Sequence, residues 1–242
     1  FPMKKTNVII SLILIASILC SCARLPTVVE TSGSSDLESF VNPETGVEYI
    51  ACSAALMPIT AGELYCKFDN DNRYRTIKFE DPLKFICDDT EFTSGVYRAS
   101  DIPEITVKSF APVAAHVYKE KNVAIFLGQL NAEKKYLDES YQELIDSYSE
   151  GESPIADDSE YIYAIRDAMS GEPEKDVFPA TGTVDEDSML HVRLLSATYP
   201  GLTYIVVYYR SLDGNDYLYD YGSKLSYKCP LSVALRLWEY LA

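Results

Sequence analysis

Histidine is nearly absent from this chain: His116 and His191 are the only two in 242 residues. Neither stands in a His-Glu-x-x-His or related arrangement, so a zinc hydrolase has no support in the sequence. Glycine is scarce as well. Its 11 copies are scattered among turns, and neither common type of phosphate-cradling glycine loop is present. A Gly-x-Ser-x-Gly elbow is missing, as is a Ser-x-x-Lys arrangement with its companions, and with them the usual serine-nucleophile patterns. No Cys-x-x-Cys pair occurs, which removes the main support for zinc-ribbon and thioredoxin-like readings. Basic residues are outnumbered 21 to 37, for a net charge of −16. Phosphate backbones demand a basic surface, so nucleic acid is excluded as a partner.

What the sequence does contain begins at its start. Residues 3–22 read MKKTNVIISLILIASILCSC. Met3 is the sensible initiator, with Phe1 and Pro2 outside the leader. Lys4 and Lys5 form a positive region, Val8 to Leu19 an apolar core, and Leu19-Cys20-Ser21-Cys22 a short motif ending in cysteine. The apolar-rich run from Val8 to Ala23 covers 16 residues, short of the roughly 20 that a spanning helix needs. The layout is that of an export signal. It resembles a bacterial lipoprotein signal peptide, with Leu19 and Ser21 at the two positions that such a lipobox favours before Cys22. The resemblance covers residues 1–22 only. It implies a diacylglyceryl group on the Cys22 thiol, cleavage before that residue, and a protein held on the extracytoplasmic face of the cell membrane. Two acyl chains suffice for stable anchoring, since one gives only marginal binding.

With Lys4 and Lys5 set aside, 19 basic residues face 37 acidic ones, a charge of −18. Self-repulsion of that size keeps a protein soluble and opposes lying flat on an anionic leaflet. Cys52, Cys66, Cys87 and Cys229 remain beyond the leader. An even count in an exported chain permits two disulfides in three connectivities, and equally permits buried thiols.

Residues 23–46 read as a flexible tether, marked by Thr31-Ser32-Gly33-Ser34-Ser35 and by Asn42-Pro43. Residues 47–242 read as a single α+β domain, or as two subdomains that meet near 130–190. Short strands are expected at Val47–Cys52, Glu63–Phe68, Tyr74–Phe79 and Val96–Arg98. A hairpin is expected from Val113–Tyr118 and Val123–Leu127, the latter apolar on both faces and so read as a central strand. Two central helices follow: one from the Asn131 cap through Leu137, Tyr141, Leu144, Ile145 and Tyr148 to Gly151, the other through Tyr161, Ile165, Ala168 and Met169, capped by Asp157 or Asp158. Leu190, Val192 and Leu194 alternate with His191 and Arg193, which predicts one buried face. Tyr204–Tyr209 reads as a second central strand, followed by a turn at 212–215 and a return strand at Tyr217–Tyr221. Pro230 opens a terminal helix whose stripe is Val233, Ala234, Leu237, Trp238 and Leu241.

No catalytic residue, cofactor or metal set emerges. Asp69-Asn70-Asp71-Asn72 starts like a calcium loop and then fails, with Arg73 and Tyr74 where a ligand and a glycine belong. His116 and His191 read as ordinary strand residues. The one compositional oddity is tyrosine. Tyr217, Tyr219 and Tyr221 alternate, so their rings share a sheet face. They read either as packing beneath the terminal helix or as an aromatic platform for a protein, peptide or glycan. The expectation is therefore a lipid-anchored binding or interaction module. The alternative is a hydrolase of envelope or nutrient material that uses paired carboxylates.

Overall fold

A computed structural model describes residues 27–30, 39–68, 73–89, 95–120, 124–131, 158–174, 184 and 186–241. Among these the chain forms fourteen strands in two sheets and three α-helices. The expected α+β fold with two central helices is thereby corrected: the architecture is β-rich. Asn131, the expected cap of the first central helix, is instead the last residue of a strand, and the rest of that helix lies outside the described residues. The discrepancy has a physical source. Strands of three or four residues, such as Leu56–Pro58, Phe85–Asp88 and Leu225–Lys228, are too short to show an alternating pattern. They form because a neighbouring strand supplies the hydrogen bonds.

The first sheet is a closed seven-stranded barrel. Its strands are β1 (Thr27–Glu30), β2 (Ser39–Val41), β3 (Glu48–Ala51), β5 (Ala61–Phe68), β6 (Arg73–Ile77), β7 (Phe85–Asp88) and β8 (Val96–Ala99), in the order β1-β2-β3-β8-β7-β6-β5. Neighbours are antiparallel except β1 and β5, whose parallel pairing of Thr27 with Lys67 closes the ring. Both β1 and β2 fall within residues 23–46, the segment expected as a tether. The barrel interior is aromatic: Phe40, Tyr49, Tyr74 and Tyr97 are buried there with Cys66 and Ile86. Phe40 and Tyr74 meet at 4.5 Å, and Tyr74 meets Tyr97 edge-on at 5.1 Å. Such ring pairs contribute about 0.5–1.5 kcal/mol each beyond area burial.

The second sheet has the order β10-β9-β11-β12-β13-β14. Its strands are β9 (Pro112–Glu120), β10 (Ala124–Asn131), β11 (Leu190–Ser196), β12 (Leu202–Arg210), β13 (Asp216–Asp220) and β14 (Leu225–Lys228). The short β4 (Leu56–Pro58) joins β12 beside β13 and ties the barrel to this sheet. β12 is central, as expected, and buried on both faces from Leu202 to Tyr209. β11 shows the expected alternation, with Leu190, Val192, Leu194 and Ser196 buried. The expectation for Val123–Leu127 is corrected. Among the described residues β10 is an edge strand, paired only with β9, and Ile125 and Phe126 are exposed.

Most of the core lies between the inner face of this sheet, the outer wall of the barrel and the helices. Val192, Tyr204, Val206, Tyr208 and Leu218 meet Ile77, Phe85, Cys87 and Val96 there. α1 (Val107–Phe110) adds Val107 and Phe110, α2 (Ser159–Met169) adds Ile162, Ile165 and Met169, and α3 (Leu231–Trp238) adds Val233, Ala234 and Leu237. Each buried aliphatic side chain contributes about 1.5–3 kcal/mol. Asp158 precedes α2 as its N-cap but makes no capping hydrogen bond. It is instead paired with Arg236 of α3 at 3.1 Å, which joins the two helices.

Candidate functional site

The outer face of the larger sheet, opposite the helices, carries the tyrosines singled out from the sequence. Register across the strands aligns Phe126 with Tyr118, Tyr118 with His191, His191 with Val207, and Val207 with Tyr219. Alternation sends all of these side chains to the same side. Ring contacts follow the register. Phe126 lies 5.5 Å from Tyr118 and 5.6 Å from His116, both edge-on. At the other end His191 lies 6.4 Å from Tyr221, which meets Tyr219 at 5.5 Å. The Arg193 guanidinium sits over the Tyr118 ring at 4.3 Å, an arrangement in which the ring's negative face attracts the cation. The result is a row across five strands, aromatic on four of them and crossing β12 at Val207, with the Arg193 cation over Tyr118. Phe126, 47% exposed, and Tyr221, 39% exposed, stand at its two ends.

The three candidate tyrosines are not equivalent. Tyr219 is buried with Val207, Tyr209 and Val184, and half-buried Tyr217 stacks on Tyr209 at 5.3 Å. Of the three, Tyr221 alone is exposed. Loss of water raises the hydroxyl pKa of both Tyr217 and Tyr219 above the ordinary tyrosine value, so both stay neutral at physiological pH. The expectation that the three rings pack beneath the terminal helix is corrected: α3 covers the opposite face, where Leu218 and Tyr208 point. Phe126, Tyr118 and Arg193 were not singled out from the sequence. An apolar run on both faces of a strand suggests burial, and no local signal marks β10 as an edge. His116 and His191, read as ordinary strand residues, do lie on β9 and β11, yet both belong to the row.

On the inner face the carboxylates of β13 serve as acceptors for tyrosines. Asp220 accepts the Tyr204 hydroxyl at 2.9 and 3.0 Å, the Gly222 amide at 2.8 Å and the Ser223 hydroxyl at 2.9 Å. Asp216 accepts the Tyr208 hydroxyl at 2.7 Å, and Tyr208 in turn accepts from the Trp238 indole. Burial, reinforced by the adjacent carboxylate, pushes the Tyr204 hydroxyl far above its ordinary value.

Cys52, Cys66, Cys87 and Cys229 are free thiols. Cys66 lies inside the barrel, whereas Cys87 and Cys229 lie in the main core. Burial raises Cys52 and Cys66 to about 12 and Cys87 to about 11. Thiols held so far above neutrality are poor nucleophiles.

A second exposed feature lies at one end of the barrel. Phe79, in the loop after β6, adopts φ 71° and is 66% exposed. A bulky residue in the left-handed region is strained by roughly 1–2 kcal/mol. Cys22 lies outside the described residues, as do residues 69–72 with most of the failed calcium loop. Among the described residues no group of three or more His, Cys, Asp and Glu is placed to hold a metal. No helix among them is long and apolar enough to cross a membrane.

Fold and site together define a two-sheet β protein, a small barrel set against a larger sheet with an aromatic outer face. Compared with known protein families, curated proteins and solved structures, the chain matches none.

Proposed function

We propose that this chain is a lipid-anchored extracytoplasmic protein that acts by binding. Cys22 carries the anchor, and the outer face of the larger sheet receives a peptide segment of a protein partner. The observation that carries the reading is the aromatic row from Phe126 to Tyr221 with Arg193 over Tyr118. Aromatic residues and arginine are the types that dominate binding hot spots, and tyrosine gives wide contact at low entropic cost. The row ends at β10, an edge strand beside which an extended segment can lie. The charge of −18 beyond the leader favours a partner surface that is neutral or basic. The hydrolase alternative gains nothing from Asp158 and Asp220, the two buried acids among the described residues, which are held by Arg236 and by Tyr204.

The test is selection from a displayed peptide library against the full chain held in vesicles. The proposal expects enriched peptides whose affinity falls about tenfold or more in Phe126→Ala and in Arg193→Ala, the scale of a hot-spot truncation. Thermal melts of both variants show whether folding is retained. An absence of enriched peptides, or peptides that bind both variants as tightly as the parent, would contradict it.

A further inference from the structure

In an antiparallel ladder, directly opposed residues alternate between exchanging two backbone hydrogen bonds and exchanging none. That alternation fixes what the two edges of the larger sheet present. On β12 the Ile205 amide donates to the Ala55 carbonyl at 2.7 Å, and the Gly201 carbonyl accepts from the Ile59 amide at 2.9 Å. Odd-numbered residues of β12 therefore aim their backbone groups at β4 and β13, and even-numbered ones at β11. Carried through the register, the rule turns His116 and Tyr118 of β9 toward β11, and Ala115, Val117 and Lys119 toward β10. Their partners Leu130, Gly128 and Ile125 are thus bonded to β9, whereas Ala124, Phe126 and Gln129 turn their N–H and C=O groups outward. At the far side of the sheet the same rule turns Ser226 of β14 outward.

The two edges differ in what meets these outward groups. At β14 the Ser226 carbonyl is taken by the Glu174 amide at 2.9 Å. At β10 the Gln129 carbonyl is taken by the Tyr240 hydroxyl at 2.9 Å. The Tyr240 ring also lies so close to Gly128 that a Cβ there would sit 2.4 Å from it. Among the described residues, nothing bonds to the outward groups of Ala124 or Phe126. Burial follows the same division: Ala124, Ile125 and Phe126 are exposed, Gln129 and Leu130 buried. We infer that the partner's segment adds to β10 as a further strand, bonded to the backbone of Ala124 and Phe126 and stopping short of Gln129, which Tyr240 covers. This mode of binding presupposes that the outer face is a peptide-binding surface, as proposed above. Main-chain bonds of this kind give affinity, and alternate side chains give specificity. The residue opposite Phe126 sends its side chain to the outer face beside that ring, and a second ring there would lengthen the aromatic row. Its two neighbours turn to the other face, beside exposed Ile125. The segment is therefore an aromatic residue between two apolar ones, in a neutral or basic stretch. A second copy of β10 is the disfavoured occupant, since two bodies of charge −18 repel.

The experiment selects binders from a displayed library of random short peptides against the full chain held in vesicles. The tightest binder is then resynthesised with a single N-methyl group at each backbone position in turn, which removes one donor and keeps the side chain. Methylation at alternate residues should weaken binding about tenfold or more, and methylation at the residues between them should not. Residue-resolved amide exchange is the second readout. Bound peptide should slow the Ala124 and Phe126 amides about tenfold or more and leave that of Ile125, already bonded to β9, nearly unchanged. Peptides that need Phe126 and Arg193 but tolerate methylation at every position, with the Ala124 and Phe126 amides unprotected, would overturn strand addition and leave the binding surface standing. Protection of those two amides without peptide, together with a dimer in sedimentation, would mean that a second copy already occupies β10 and would also overturn it. A library that yields no binder would overturn the binding reading and strand addition together.

Discussion

Replacing Tyr204 by Phe tests the polar arrangement that fastens the centre of the larger sheet. Tyr204 is 2% exposed and Asp220 7% exposed, and the hydroxyl donates to the carboxylate at 2.9 Å. A buried hydrogen bond to a charged acceptor contributes about 1.5–3 kcal/mol. Tyr204→Phe should therefore cost an amount in that range, because Asp220 keeps the Gly222 amide and the Ser223 hydroxyl. Asp220→Ala should cost more, about 3–5 kcal/mol, since it removes three donors' acceptor and strands the Tyr204 hydroxyl in the core. The pair should not be additive. With both groups gone the stranded hydroxyl disappears, so the double variant should recover about 1–3 kcal/mol relative to the sum. Urea unfolding of the four proteins gives each value, provided that the slope stays constant and only the midpoint moves. Additivity within about 0.5 kcal/mol would refute the reasoning, because it would mean that the two side chains do not share this contact in solution.

Two further predictions concern stability. Burial pushes the Cys66 and Cys87 thiols up to about 12 and about 11 in the folded chain, from an ordinary value of 9.0. Above pH 9 the unfolded chain loses these protons while the folded chain keeps them, so stability is intact below that pH. It should then fall by about 1.4 kcal/mol per pH unit for each thiol, until the folded values are passed. Midpoints measured from pH 8 to 11 should show this fall, and Cys66→Ala should flatten it; an unchanged slope would contradict the cause. Gly201 sits where barrel and sheet meet, and a Cβ there would lie 2.4 Å from the Lys78 carbonyl oxygen. Gly201→Ala should cost about 1–3 kcal/mol in a thermal melt, and a neutral result would mean that the joint yields freely.

The parts of the fold that were legible in the sequence are those where burial differs sharply between neighbours. Leu190, Val192 and Leu194 announced β11 because His191 and Arg193 stand between them. Tyr204 to Tyr209 announced the central strand because a strand covered on both faces has no polar gap. The same rule misled at Val123–Leu127: an edge strand whose outer face joins an aromatic row has the composition of a buried one. β1, β2, β4 and β7 escaped because three or four residues carry no period. β1, β2 and β7 are specified by closure of the barrel, through pairings such as Thr27 with Lys67, and β4 by its pairing with β12. Alternation did place Tyr217, Tyr219 and Tyr221 on one face, but which rings are covered depends on Tyr209 and Val207 across the strand. That row was invisible in the sequence because its aromatic members come from four separate segments.

The measurement that bears most directly on the proposed account is the intact mass and N-terminal sequence of the protein extracted from membranes. The account predicts a chain that starts at Cys22 and carries a diacylglyceryl thioether on that residue. It also predicts that Cys22→Ser is released from the membrane or accumulates with its leader attached. A mature chain that begins at another residue with Cys22 unmodified or absent, or a Cys22→Ser protein that remains membrane-bound after normal cleavage, would contradict it.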